Sequence, residues 1–218
     1  PVLARGPRYN NMALRKAAEM ASSACAQLAS LQLTAAAESA EMGLRALQPS
    51  AGSTARQMER ALLNVQGVAL HLQGDYDSAH EQLEACIKLD AIPADSYADL
   101  AGALSDSAAN HIARGSVDEA EAALKRGAFM LRRSYRPSAA ASAVLLSVRG
   151  NLHEARGDDQ EALAAYQSAH EQLLSASSSS NSDEMVRSAG WLQACRSNSA
   201  WTLLRLGATS AADVLARN

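Results

Sequence analysis

The chain has 218 residues, 48% of them hydrophobic but only 4% aromatic, and carries a net charge of −3. A charge so near neutrality excludes a general electrostatic pull toward nucleic acid or anionic membrane, and no apolar run is long enough to span a bilayer. Three scattered cysteines, Cys25, Cys86 and Cys195, lack C-x-x-C spacing. That argues against a disulfide framework and for a reducing intracellular compartment, cytoplasm or organelle matrix alike, with the thiols serving as small packing residues. Abundant Ala beside only five Pro favours helices that approach closely over a sheet. The first residue is Pro1 rather than Met, which points to a segment upstream, either a targeting peptide or another domain.

In chain order, residues 11–49 predict a first hairpin with helices over Asn11–Leu28 and Thr34–Leu47, ended by Pro49-Ser50-Ala51-Gly52. Three segments then align without gaps. They are "NVQGVALHLQGDYDSAHEQLEACI" (64–87), "SDSAANHIARGSVDEAEAALKRGA" (105–128) and "LSVRGNLHEARGDDQEALAAYQSA" (146–169). Each places an apolar helical stretch before Gly74, Gly115 or Gly157, then an acidic helix start, then Ala79, Ala120 or Ala162; these alanines lie 41 and 42 residues apart. The glycines suit left-handed helix caps, and Asp75, Ser116 and Asp158 are expected to cap the helices that follow. Gly67, Ala108 and Gly150, seven residues before each turn, are expected to face Ala79, Ala120 and Ala162 across the hairpins. The repeats therefore span 60–93, 101–136 and 143–174. A Ser-rich loop follows over 175–184, and a last unit over 185–218 carries Ala200, Gly207 and Ala212 at the same offsets.

Two copies of SAHEQL, at Ser78–Leu83 and Ser168–Leu173, are 90 residues apart and so are not equivalent repeat positions. Helical phase turns Ala79, Leu83, Ala169 and Leu173 inward and leaves His80, Glu81, His170 and Glu171 mostly to solvent.

With Gly67, Gly74, Asp75, Tyr76, Ala79 and Leu83 in its signature slots, "GVALHLQGDYDSAHEQL" resembles the tetratricopeptide repeat family. The stretch from Gly150 resembles it too, through Gly157, Asp158, Ala162, Tyr166 and Ala169, with Asp159 where the turn Tyr stands. The long spacing is similar to that of kinesin light chain-type repeats. The resemblance implies an all-α, right-handed α-solenoid of four to five helix-turn-helix hairpins. It also implies a concave groove lined by the first helix of each hairpin. The groove slots fall on Asn64, Val68 and His71; Ser105, Ala109 and Ile112; Ser147, Asn151 and Glu154; and Ser197, Trp201 and Arg205. The basic clamp of the chaperone-binding members is absent from them.

Catalytic chemistry finds no foothold: the histidines are isolated in sequence, and no nucleophile elbow, P-loop or dinucleotide fingerprint occurs, so no catalytic residue, metal or cofactor is expected. Charge is more informative. From Ala122 to His153 there is no Asp or Glu, while Lys125, Arg126, Arg132, Arg133, Arg136 and Arg149 all occur. A solvated helix end explains Arg132, Arg133 and Arg136, and so does a patch for an acidic partner segment or phosphate groups. Without interleaved aromatics the run does not suggest nucleic acid. Core packing is the leading reading of Trp191 and Trp201, with a partner anchor as the alternative. The expected function is a non-catalytic adaptor or assembly scaffold that docks a peptide or helix in the groove; the alternative is an architectural or regulatory subunit of a larger complex, an organellar one included.

Overall fold

Among the described residues, five helix ends are built the same way. The structure, a computed structural model, describes residues 7–47, 52–89, 97–134, 139–177, 195 and 197–208. Those residues are all-α, as expected, with no strand among them: α1 (Pro7–Ala29), α2 (Leu33–Leu47), α3 (Ser53–Gln73), α4 (Tyr76–Lys88), α5 (Tyr97–Ala113), α6 (Val117–Arg133), α7 (Ala139–Arg156), α8 (Asp159–Ser177) and α9 (197–205). No helix among the described residues is long and apolar enough to cross a membrane.

At the end of α3, Gly74 has φ 85°, its N–H donates to the His71 carbonyl at 3.0 Å, and the Asp75 N–H reaches back to the Leu70 carbonyl. Paired bonds of this kind satisfy the carbonyls a helix end leaves open. The pattern returns at Gly115, Gly157 and Gly207, all with positive φ. It also returns at Leu31, with φ 57° and bonds to Leu28 and Gln27, so the first hairpin has the same turn with a leucine in the glycine's place. Beyond the turn, the Asp75 carboxylate accepts from the Ser78 N–H at 3.2 Å, as expected of an N-cap. Ser116 does not act this way: its side chain makes no cap bond, and α6 begins instead with Asp118 and Glu119 against its dipole.

The chain divides into two compact units, Pro1–Ile92 and Pro93–Asn218. In the first, α1 pairs with α2 and α3 with α4, and α3 packs against both α1 and α2. Alanine carries much of that core, with Ala17, Ala24 and Ala40 fully buried beside Leu62. Gly43 brings α2 onto α3, since a Cβ there would stand 2.8 Å from a Leu62 methyl. Arg60, 5% exposed, donates from Nη2 to the Leu89 carbonyl at 3.1 Å and so ties α3 to the end of α4. In the second unit α5 pairs with α6 and α7 with α8, while α7 packs against both α5 and α6.

Gly67 faces Ala79 across its hairpin, as expected: a Cβ there would stand 3.4 Å from the Ala79 carbonyl oxygen. Ala79, Ala120 and Ala162 are fully buried, and Gly67 and Gly150 also make room for larger residues one turn beyond Ala79 and Ala162. A Cβ at Gly67 would stand 2.7 Å from Leu83 Cγ, and one at Gly150 would overlap the Tyr166 ring, 2.6 Å from Cδ1. Helical side chains lean back toward the N-terminus, so Leu83 and Tyr166 cover the level of the alanines four residues earlier. In the two SAHEQL copies Ala79, Leu83, Ala169 and Leu173 are buried and Glu81 and Glu171 exposed, whereas His80 and His170 are half-buried rather than solvent-facing. Cys86 and Cys195 pack inward, but Cys25 is exposed.

Candidate functional site

Three cations of the basic run, Lys125, Arg132 and Arg149, line one cleft between α6 and α7. Among the lining residues, Glu121, Lys125, Ala128 and Arg132 on α6 stand at spacings of four, three and four, and Leu145, Arg149, Leu152 and Arg156 on α7 repeat that spacing. This is one face of each helix. The helices run antiparallel, because Glu121 near the start of α6 meets Arg156 at the end of α7, while Gly127 lies against Leu145. Small residues give the cleft its room: Gly127 lets Leu145 approach, and Ala128 leaves the space between Lys125 and Arg132 unfilled. The opening has a volume of about 320 Å³, with Leu124, Leu145 and Leu152 as its apolar wall.

Four cations face this space against one lining carboxylate, Glu121. Glu121 accepts from Lys125 Nζ at 2.8 Å and from Arg156 Nη2 at 2.7 Å. The hydrogen bond from Lys125, then that from Arg156, hold its carboxyl down at about 2. Arg156 is raised in turn by the bond to Glu121. At the same end His153 Nδ1 lies 3.7 Å from Asp158. Of the other two cations, neither Arg132, toward the far end of α6, nor Arg149, between Leu145 and Leu152 on α7, has a carboxylate within ion-pair distance among the described residues.

The arginines expected to act together are thus sorted. Arg132 lines the cleft. Arg133 turns away and lies over the Phe129 ring, 5.4 Å from its centroid. Arg136 and Trp191 lie outside the described residues. Arg149, Arg156, Lys125 and Glu121 complete the site in their stead; the signal for them was the shared spacing in two consecutive predicted helices.

The groove slots divide differently. In the first unit Asn64 and His71 are half-buried, and the His71 ring sits 5.4 Å from that of Tyr76. Ser105 does not line a groove: it is fully buried, and its hydroxyl donates to the Ala101 carbonyl of its own helix at 2.9 Å. Ser147 is also buried, hydrogen-bonded with Cys195, whose thiol is pushed up chiefly by burial. Asn151, Glu154 and Arg205 do come together, in a polar seam that fastens α9 to α7 and α8. Tyr166 donates to Asn151 Oδ1 at 2.7 Å, and Asn198 reaches the same oxygen. The Thr202 hydroxyl donates to Glu154 at 2.8 Å; Arg205 pairs with Glu154 at 3.3 Å and with Asp159. Burial, ahead of the Glu154 charge, pushes the Tyr166 phenol above its ordinary range. Trp201 is 62% exposed, contrary to the core reading.

A scan against protein-family models matches none, and a search of curated proteins finds no relative.

Proposed function

We propose that this chain is a non-catalytic protein-interaction module built of tetratricopeptide-like hairpins, an adaptor or assembly scaffold, and that it docks an acidic partner segment in the α6–α7 cleft. The observation that carries the reading is the pair Arg132 and Arg149, two guanidinium groups over an apolar wall with no carboxylate of their own among the described residues. Arginine keeps its proton at any working pH, so such a pair binds oxyanions and does not exchange protons with a substrate. The recurrent left-handed turn at Leu31, Gly74, Gly115, Gly157 and Gly207 supports a repeat architecture beneath it. The docking surface is assigned here rather than to the first-helix groove, because Ser105 and Ser147 are buried and Asn151 and Glu154 already bond within the chain.

A second reading, an architectural subunit held by apolar contact, is favoured by α9 and its end, where Trp201, Leu204 and Leu206 are all more than 40% exposed. Affinity capture from cell extract, read by mass spectrometry, separates the two. Docking at the cleft predicts a partner retained by wild type and by Arg133→Glu but lost with Arg132→Glu/Arg149→Glu. A partner set indifferent to that double reversal and lost with Trp201→Ala would overturn the cleft reading in favour of the subunit.

A further inference from the structure

The cleft has two unlike ends. Glu121 and Arg132 stand eleven positions apart along α6, a span of about 16 Å at the helical rise of ~1.5 Å, or about five residues of an extended peptide. At the first end both carboxylate oxygens of Glu121 are engaged, by Lys125 and Arg156, and those two cations are therefore already answered. Asp118 and Asp158 also lie close enough to act on Arg156, so negative charge accumulates there. Toward the other end of α6 stands Arg132, and on α7 Arg149 lies between Leu145 and Leu152; neither has a carboxylate within ion-pair distance among the described residues.

We infer, granting that the cleft is the docking surface, that it accepts a partner peptide in one direction only: an apolar side chain seats on the leucine wall, acidic side chains run from it toward Arg149 and Arg132, and Glu121 is the specificity residue that refuses an acid at the opposite end. Glu121 acts in two ways. It occupies the two cations an incoming carboxylate would need, and it repels that carboxylate directly. Like charge set against a wrong partner is the device by which interfaces reject one alternative while tolerating another. A cleft with all four cations free would take an acidic segment in either orientation; this one does not.

A displayed library of random 12-residue peptides, selected in parallel on the full chain as wild type, Glu121→Gln, Glu121→Lys and Arg132→Glu/Arg149→Glu and read by sequencing, tests this. Wild type is expected to enrich peptides with acidic residues on one side of an apolar position. Glu121→Gln should add acid on the other side by at least threefold in frequency, and Glu121→Lys by more. The double reversal should lose the wild-type motif, and the best wild-type peptide should bind it at least tenfold more weakly. Helical circular dichroism at matched concentration checks that each variant is folded. A motif unchanged by both Glu121 variants overturns the directional inference while leaving the docking surface intact. A motif that survives the double reversal, or no acidic motif on wild type at all, overturns the docking surface and the inference with it.

Discussion

The hairpins α3–α4 and α7–α8 use the same slot for different ends. In each, a glycine on the first helix makes way for a large side chain on the second: Gly67 for Leu83, Gly150 for Tyr166. Leu83 is buried and has nothing further to satisfy. Tyr166 is as deeply buried, but its hydroxyl needs a partner, which it finds in Asn151. Asn151 in turn holds Asn198, and Glu154 one turn on holds Thr202 and Arg205. One hydroxyl in a packing slot thus begins the seam that brings α9 onto α7. A repeat can keep its backbone and register while a polar tip at one position decides whether another helix is recruited.

The contrast is broken most severely at the glycines. Gly150→Ala should destabilise by about 1–3 kcal/mol, because the Tyr166 ring is stiff and overpacked cores yield poorly. Gly67→Ala should cost less, since Leu83 can change rotamer and alanine improves the helix by up to ~1 kcal/mol. Chemical denaturation of both variants gives the order, and Gly150→Ala/Tyr166→Leu should recover part of the loss. Tyr166→Phe sharpens the comparison by deleting only the hydroxyl. It should cost about 1 kcal/mol, with amide exchange accelerated in 197–205 more than in α3 or α4; uniform acceleration would mean the seam does not hold α9.

A smaller effect is expected at the first turn. Leu31 takes the left-handed conformation that glycine takes at the other four turns, and its side chain is 73% exposed. Leu31→Gly should therefore stabilise by about 0.5–1 kcal/mol, the relief of left-handed strain less the entropy glycine brings to the unfolded chain; a lower denaturation midpoint would show that Leu31 contributes packing instead. The smallest effect concerns Glu121. Its folded carboxyl titrates at about 2, below its unfolded value of roughly 4.3, so its contribution to stability is present above the unfolded value and fades as pH falls toward the folded one. The melting temperature of wild type should exceed that of Glu121→Gln at pH 7, and the gap should narrow below about pH 5; a pH-independent gap would point to shape rather than charge.

Much of this was legible because certain residues have one cheap conformation. Glycine in a left-handed turn announced itself at 74, 115, 157 and 207, and alanine at 79, 120 and 162 marked buried contact. Leu31 was silent, since leucine pays for that conformation and sequence reasoning expects it elsewhere. Ser105 misled because a serine can satisfy its hydroxyl on its own helix and disappear into the core. Arg132 was found with Arg133 as its neighbour in sequence, yet its neighbours in the cleft are Arg149 and Leu145 from the next helix, a pairing fixed only when Gly127 lets α7 close on α6.

The most direct test of the account is the affinity of the captured partner segment, by fluorescence anisotropy, for wild type and for three variants: Arg132→Glu/Arg149→Glu, Asn64→Ala/His71→Ala, and Trp201→Ala. The account predicts at least a tenfold loss for the first alone, with wild-type binding weakening as salt rises. Unchanged affinity for the first, or a comparable loss for either of the others, would contradict it.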